Sequence, residues 1–466
     1  MTAVYGLTVK KVRALQFTLH FLVKCWMMVI GMFKDVMKSL LLFSLIISSV
    51  ILTYKIWNYT PELTNVETSP DEKTPTIGPR NNDNIRSIFM PFQMISYEEQ
   101  NVKGTSDVDA IMDFTDKIAG SKVKKTTLLA NNLTSEIGKK YIIFDFTVNM
   151  PNDMYLTSVL NLNNKFVDKH QFNRLIIDSD SGPELTLYLL SADKMLRVET
   201  TAKSASFNKL LKTYDGRMIK YSGIITNEKT TDEKTNVYAP FSSDHAKTYR
   251  YMADRINVED INNAVLDEKE HVIERTRKNG PTTYFGNTGV VSITQNSIYK
   301  YNNLSETDSV KPDPEENLVN SFSFISKHGG FTDDYRLFSI RQDNHAINYQ
   351  MFLSGLPVFN QSGLSEINVT WGENEVYEYR RGLFSTSVAV PSTSTTKNLP
   401  TAEQVRFALA SNRRYNYEDI THMIIGYEMK TSAPNDLQLQ TTLLFEPSWY
   451  IEYQGEWKKY EDGRLK

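Results

Sequence analysis

The feature that most constrains this chain is a run of sixteen residues without charge, Ser39 to Tyr54, which is bounded by Lys38 and Lys55. A helix that crosses a bilayer needs about 20 mostly apolar residues, and flanking lysines can extend their ammonium groups to the lipid headgroups. A cleaved signal peptide would instead carry small residues after its apolar region, where this chain has bulky ones. We therefore predict an uncleaved transmembrane helix over 39–57.

The ends of this helix carry side chains suited to the membrane interface. Lysine snorkels, and tryptophan and tyrosine are enriched at the level of the headgroups. We expect four interface anchors: Lys38, Lys55, Trp57 and Tyr59.

Charge sets the expected orientation. Residues 1–38 hold six basic side chains and one acid, which gives +5, so the remainder of the chain sums to −8 for a net charge of −3. Because positive residues stay on the cytoplasmic side, we predict a cytoplasmic N-terminus over 1–38 in a single-pass cell-membrane protein whose body is exported.

Two alternatives to this layout stay open. Residues 14–33 are also largely apolar, and a second span there would leave the body in the cytoplasm. Translation could instead begin at Met28, Met32 or Met37, in which case residues 1–31 would be an artefact.

Composition excludes several classes of function. The single cysteine, Cys25, precedes the predicted span, so the body has no disulfide framework and no cysteine zinc site. The net charge does not provide the basic surface that a nucleic-acid-binding protein needs. We find no phosphate-binding glycine loop, nucleophile elbow or zinc-protease motif, and we therefore expect neither an enzyme nor a cofactor.

The body has the pattern of an α+β protein. Residues 58–84 are polar and proline-rich, as expected of an extended linker. Beyond them, a helix followed by strands with short turns occurs three times, which predicts antiparallel sheets with packed helices. The predicted domains are N-terminal (85–205), middle (206–310) and C-terminal (311–466).

Helices and strands are predicted as follows. We expect helices over 107–119 with Ser106 as N-cap, over 258–266 and 315–326, and over 402–411 with a capping box of Thr401 and Gln404. Strands are predicted over 141–148, 174–180, 184–191, 195–201, 218–226, 247–252, 282–285, 290–294, 297–301, 335–341, 346–352, 366–371, 376–383, 421–429, 437–445 and 449–453.

Two other patterns have a functional and a structural interpretation. Residues 178–182 resemble the start of a calcium loop, but a hairpin turn accounts for them with fewer assumptions. Aromatic residues near the C-terminus could form a sugar-binding platform, although the two faces of a terminal hairpin are the favoured interpretation. These aromatic residues are Trp449, Tyr450, Tyr453, Trp457 and Tyr460.

The predicted span also contains hydroxyl residues at helical spacing. Ser44 and Ser48 are four positions apart, as are Ser49 and Thr53. Small residues at this spacing let two helices approach closely, and hydroxyls can form hydrogen bonds between them. We expect these four residues to contact a partner helix in the bilayer.

Several segments together resemble one family. They are SVILTYKIWNYTPEL (49–63), YIIFDFTVNMP (141–151), FNRLIIDSDSG (172–182), KTYR (247–250), NTGV (287–290), FSFISKHGGFTDDYRLFS (322–339), VTWGENEVYEYRRGL (369–383), IGYEM (425–429) and WYIEYQGEWKKYEDGRL (449–465). From about Lys34 to the C-terminus the chain resembles the YycH (WalH) family, most closely its staphylococcal members. Residues 1–31 have no counterpart in that family.

The resemblance implies a membrane-anchored, non-catalytic regulator with three exported domains. Such proteins pair with the related protein YycI and contact the sensor kinase WalK of the WalK/WalR two-component system through transmembrane helices. The implied outcome is altered expression of cell-wall metabolism genes, with activation of the kinase expected for a staphylococcal-like member. The alternative function is an exported protein that binds cell-wall polymer or a small ligand.

Overall fold

A computed structural model describes most of the chain beyond residue 83 and part of the predicted span. The described residues are 37–38, 40–53, 84–98, 101–130, 137–163, 169–180, 182–192, 194–224, 234, 236–266, 272–276, 280–294, 297–308, 313–341, 343–390, 397–432 and 441–466. The chain divides into two units, Met1–Glu62 and Leu63–Lys466.

In the first unit, residues 40–53 form helix α1, and its side chains are exposed. The predicted span continues beyond this helix at Ser39 and at 54–57, which lie outside the described residues. Across the described part of the chain, no helix is both long enough and apolar enough to cross a membrane.

The first sheet of the second unit contains nine of the described strands, and all neighbours in it run antiparallel in the order β3-β7-β6-β5-β4-β1-β2-β8-β9. Its strands are β1 (Gln93–Glu98), β2 (Asn101–Thr105), β3 (Val123–Ala130), β4 (Lys140–Pro151), β5 (Gln171–Asp178), β6 (Glu184–Leu190), β7 (Lys194–Lys203), β8 (Ile219–Ile224) and β9 (Val237–Pro240).

Both faces of this sheet are covered at its centre. In β5, Leu175 and Ile177 belong to the main hydrophobic core, whereas Ile176 lies on the other face in a second apolar cluster. A strand that is buried on both faces appears in the sequence as a continuous apolar run, as Leu175, Ile176 and Ile177 do here. The helices associated with this half are α2 (Ile85–Ile88), α3 (Val108–Asp116), α4 (Asn152–Met154) with a π-turn over Tyr155–Val159, and α5 (Ser204–Tyr214).

The N-cap predicted for helix α3 is wrong. Its N-cap is Asp107 and not Ser106, because the Asp107 side chain accepts a hydrogen bond of 2.8 Å from the backbone N–H of Ala110. A carboxylate at this position also interacts favourably with the helix dipole. Gly120 follows the helix with a φ of 70°, a conformation that glycine adopts without strain.

The second sheet contains fifteen of the described strands. Its order is β11-β12-β13-β14-β19-β18-β16-β17-β21-β22-β10-β20, with β15 on β16, β23 on β22 and β24 on β23. The strands are β10 (Tyr249–Arg255), β11 (Ile273–Thr276), β12 (Thr282–Phe285), β13 (Gly289–Thr294), β14 (Ile298–Asn303), β15 (Tyr335–Ile340), β16 (Ile347–Leu353), β17 (Leu356–Phe359), β18 (Glu366–Trp371), β19 (Val376–Gly382), β20 (Phe384–Ala389), β21 (Ile420–Ser432), β22 (Thr442–Tyr453), β23 (Glu456–Glu461) and β24 (Arg464–Leu465).

Three helices accompany the second sheet: α6 (Val258–Val265), α7 (Pro314–Lys327) and α8 (Ala402–Ala410). The capping box predicted for α8 is confirmed: the Thr401 hydroxyl accepts from the N–H of Gln404, whose side chain accepts from the N–H of Thr401. After α7, Gly329 and Gly330 have φ values of 102° and 73°. These two glycines turn the chain out of the helix.

Strand β22 is longer than predicted. The sequence indicated two strands, 437–445 and 449–453, but residues 442–453 form one strand that passes through Pro447. On one side, β10 pairs with 442–445 and β23 pairs with 450–453, so Pro447 has no strand neighbour there. A proline, which lacks an N–H, is tolerated at such a position. Residues 433–440 lie outside the described residues.

The strands of the predicted middle domain are shared between the sheets. Strands β8 and β9 extend the first sheet through β2, whereas β11–β14 join the second sheet through β19. One hydrophobic core contains buried residues of both halves. The boundaries at 205/206 and 310/311 stay predictions.

Candidate functional site

The second sheet carries a cleft of about 860 Å³ between the polar face of its central strands and the C-terminal hairpin. The floor comes from β16, β18 and β19, whose side chains alternate between faces. In β18, Ile367 and Val369 enter the core, whereas the next residues along the strand face the cleft. The polar floor residues are Asn348, Gln350, Glu366, Asn368, Thr370, Glu378 and Arg380.

Strand register places these polar side chains in a row. Asn348 of β16 pairs with Asn368 of β18, and Asn368 pairs with Arg380 of β19. The Asn348 Nδ2 donates to Asn368 Oδ1 at 3.1 Å, and Asn368 Nδ2 donates to Glu366 at 3.2 Å. The amide groups are therefore held in fixed orientations by their neighbours.

One acceptor in this row has no partner. Asn348 is only 6% exposed, and its Oδ1 makes no hydrogen bond within the described residues. An unpaired buried carbonyl costs about 1–3 kcal/mol. The oxygen itself is buried beneath the surface of the cleft, so a molecule in the cleft does not reach it without a rearrangement of the floor.

Four aromatic side chains from β15, β17, β22 and β23 form the opposite wall: Phe338, Phe359, Tyr450 and Trp457. The rings of Phe359 and Tyr450 stack with centroids 3.8 Å apart, and those of Phe338 and Trp457 lie 4.9 Å apart. Trp457 is partly exposed, and its indole N–H has no partner among the described residues. Because that N–H is itself buried and Phe338 and Tyr450 are only 1% and 5% exposed, the wall presents mainly the rings of Trp457 and Phe359 to the cleft.

The cleft is lined by charges that are paired. Five basic and four acidic side chains contribute to it, a difference of +1. Glu428 accepts from Lys459 at 3.0 Å and lies 3.2 Å from Lys430. Burial alone raises the pKa of Glu428, but the hydrogen bonds and charges of the two lysines hold it below its ordinary value. The carboxylate stays ionised and neutralises the lysines.

A half-buried histidine beside the aromatic wall joins the two sheets. His422 of β21 lies 5.8 Å from the Trp457 ring. Its Nδ1 is 2.6 Å from Glu452, and its Nε2 is 3.2 Å from the backbone oxygen of Phe146, which belongs to β4 of the first sheet. The C-terminal hairpin of the cleft is thereby connected to the other half of the molecule.

The predicted partner-contact residues lie on α1 and are exposed. At 3.6 residues per turn, Ser44 and Ser48 are about 40° apart, as are Ser49 and Thr53, but the two pairs are centred about 140° apart. The Thr53 hydroxyl donates to the carbonyl of Ser49 at 2.8 Å, within its own helix. The structure thus places the four residues in two pairs on different faces.

The predicted interface anchors are largely outside the structure. Lys38 is in a helical conformation. The other three, Lys55, Trp57 and Tyr59, lie outside the described residues.

The C-terminal aromatic residues do not form the single platform considered from the sequence. They occupy a hairpin of β22 and β23, as favoured. Trp449 is 1% exposed in the main core, and its indole donates to the carbonyl of Pro400 at 2.8 Å. Trp457 alone of the two tryptophans lines the cleft.

The polar floor of the cleft could not be predicted from the sequence. The alternating residues 366, 368 and 370 were visible as one strand face, but such a pattern is typical of an ordinary solvated face. Asp178 ends β5, which pairs antiparallel with the next strand, β6, from Glu184 onwards, and this confirms the hairpin interpretation. In the part of the chain that the structure describes, no group of three or more histidine, cysteine or acidic residues is placed to hold a metal ion.

Comparisons with known proteins identify the family. Residues 234–462 match the model of the YycH protein, C-terminal domain, and residues 35–218 match that of the YycH protein, N-terminal domain. The two-component system WalR/WalK regulatory protein YycH of Bacillus subtilis (strain 168) is 21% identical over 452 residues, which cover 91% of this chain and 95% of that protein.

One solved structure has a similar fold. The crystal structure of YycH from Bacillus subtilis has a TM-score of 0.64 at 16% identity and covers 84% of this chain and 100% of that one. The Bacillus megaterium YpeB C-terminal domain has a TM-score of 0.23 at 10% identity, over 45% of this chain and 99% of that one. With family models matched on both halves, the chain belongs to the YycH family.

Proposed function

We propose that this chain is a membrane-anchored, non-catalytic accessory regulator of a WalR/WalK two-component system. One observation carries the proposal: both YycH family models match, and the chain covers 95% of a relative that is a regulatory protein of that system. In this proposal the chain pairs with a YycI-like protein, activates the sensor kinase WalK, and so alters expression of cell-wall metabolism genes.

The proposed route is contact between transmembrane helices. The apolar, exposed surface of α1 supports a helix that needs an apolar environment. The excess of basic residues over 1–38 supports a cytoplasmic N-terminus with the body outside. A bound helix can shift the kinase only by binding one of its states more tightly than the other. Coupling of this kind is typically worth about 1–3 kcal/mol.

The two hydroxyl pairs of α1 allow a face-specific test. One variant replaces Ser44 and Ser48 by leucine, and its matched control replaces Ser49 and Thr53. Both keep the helix apolar, but they fill two different faces. We expect only the variant that fills the face in contact with the partner helix to have an effect. It should lower transcription from a cell-wall hydrolase reporter by about fivefold, the low end of typical allosteric coupling. It should also reduce co-purification of WalK and the YycI-like protein.

A chimera provides the complementary test. Residues 39–57 are replaced by an unrelated span, and the amount of exported body is measured alongside the reporter. If reporter output is unchanged while the body is still exported, the helix does not carry the signal. If no kinase co-purifies with the unmodified chain, the proposed partnership is wrong.

The alternative function, an exported binder of cell-wall polymer or a small ligand, gains a specific site. The cleft of the second sheet, and not a platform that includes Trp449, is where the described residues could receive such a molecule. Binding there would be compatible with regulation.

A further inference from the structure

We propose that the cleft of the second sheet is a binding site for a neutral oligosaccharide, a role beyond the proposed regulation of a kinase. Its volume of about 860 Å³ lies within the range of ligand sites, about 300–1,000 Å³. Aromatic rings on one wall and fixed amide and charged side chains on the other match a molecule with apolar C–H faces and a rim of hydroxyl groups.

The charge pattern selects a neutral ligand. All nine charged side chains that line the cleft have an oppositely charged neighbour within 4 Å: Arg380 lies 3.8 Å from Glu366, and Lys300 lies 2.8 Å from Glu378. A phosphate or polyanion site would instead need basic groups free to pair with the ligand. Paired groups still offer spare N–H donors and lone pairs to hydroxyls.

The backbone of the floor argues against an extended peptide. Strand β18 lies between β16 and β19, and β19 lies between β18 and β14. Their backbone groups are used within the sheet, so a peptide could not add as a further strand. Recognition must rely on side chains, which suits a ligand with many hydroxyls.

Two side chains at the surface of the cleft indicate where the ligand binds. Trp457 of the aromatic wall and Asn368 of the floor are both partly exposed, and both line the cleft. The ring of Trp457 can pack on the C–H face of a sugar. Asn368 uses one N–H and one lone pair of its amide within the floor, which leaves one of each for hydroxyl groups.

The test uses the purified full chain in a sugar-free detergent. Chitotetraose, cellotetraose and maltotetraose are titrated by calorimetry, with inorganic polyphosphate and neutral tetra-alanine as competing classes. We expect at least one tetrasaccharide to bind with a Kd near or below about 1 mM, a range typical of weak specific sites.

Variants locate the binding. Trp457→Ala removes the partly exposed ring, and Asn368→Leu removes the partly exposed amide at similar size. Each should weaken binding about tenfold or more, which is the loss of one strong contact. The matched control is Trp371→Ala, because Trp371 is also partly buried on this sheet but packs on the main core. It should leave the affinity within about twofold.

Several results would overturn the assignment. The first is the absence of any heat of binding with each tetrasaccharide up to about 10 mM. The second is an affinity that Trp457→Ala and Asn368→Leu leave unchanged. The third is tighter binding of polyphosphate or tetra-alanine than of every sugar. Thermal unfolding of each variant shows whether it is folded, and a folded Asn368→Leu suffices if Trp457→Ala does not fold. No kinase is present, so failure here is distinct from failure of the proposed regulation.

Discussion

His422 has a hydrogen-bond acceptor at each of its ring nitrogens. Glu452 accepts at Nδ1 and the Phe146 carbonyl at Nε2, and only the imidazolium carries an N–H at both. Burial alone lowers the pKa of His422, but the charge of Glu452 and the hydrogen bond to it raise the pKa above its ordinary value. Asp145 also raises it, whereas Arg174 lowers it. The geometry and the electrostatics both indicate a charged histidine.

A pH-dependent stability follows from this pair. Because the folded-state pKa of His422 is raised, its contribution is complete below the unfolded value of about 6.5 and is lost as pH rises through the folded pKa. His422→Gln should therefore lower the free energy of unfolding by about 1.5–3 kcal/mol at pH 6, as for a hydrogen bond to a charged group. Denaturant unfolding at pH 6 and at pH 9 measures the difference.

Glu452→Gln serves as the companion variant. It removes the charge that raises the pKa of His422 but keeps an acceptor of the same shape. The stability difference between this variant and the wild type should also shrink towards pH 9. A His422→Gln effect of equal size at both pH values would contradict a charged histidine.

At the scale of elements, local signals identified helices better than they identified caps and strand ends. The capping box of α8 was visible because both Thr401 and Gln404 are chemically suited to it. For α3, Ser106 and Asp107 are both good caps, and only the hydrogen bond from Ala110 shows which one acts. The two strands predicted in this region stopped on either side of Pro447. The sequence does not show that β10 and β23 both end before they reach Pro447, which leaves one of its sides without a neighbouring strand.

The α8 cap gives a prediction at this scale. Thr401→Ala removes the acceptor for the N–H of Gln404 and should lower the free energy of unfolding by about 0.5–2 kcal/mol. The matched control is Thr213→Ala in α5, since that hydroxyl only donates to the carbonyl of Lys209 within a formed helix. We expect the control to change stability by less than about 0.5 kcal/mol. Chemical denaturation measures both, and equal effects would contradict the capping role.

At the scale of the whole molecule, antiparallel sheets with few helices could be predicted, but the grouping of strands could not. Alternation and turn residues reveal strands and their nearest hairpins, as in β12–β13. They do not reveal that β2 pairs with β8, more than a hundred residues later, or that β10 inserts between β20 and β22. The cleft depends on such long-range pairing, so its floor and wall could not be placed together from the sequence.

The core shared by the two sheets predicts how the second unit unfolds. Phe89 follows α2 in the first half, but its ring lies 5.8 Å from Phe322 of α7 and 6.4 Å from Tyr349 of β16. Separating the sheets would expose this core to water, which is unfavourable. We therefore expect one cooperative transition, although chains of this size often unfold domain by domain.

Two spectroscopic probes can test that cooperativity. Trp371, Trp449 and Trp457 all lie in the second sheet, so fluorescence follows that half once Trp26 and Trp57 are replaced by phenylalanine, whereas far-ultraviolet circular dichroism follows both. Phe89→Ala should lower the free energy of unfolding by about 3–5 kcal/mol. Phe207→Ala is the informative partner, because Phe207 of α5 packs on Phe114 of α3, within the first half. If the sheets unfold together, this variant also moves the fluorescence midpoint. A shift seen by circular dichroism alone would mean that the two sheets unfold separately.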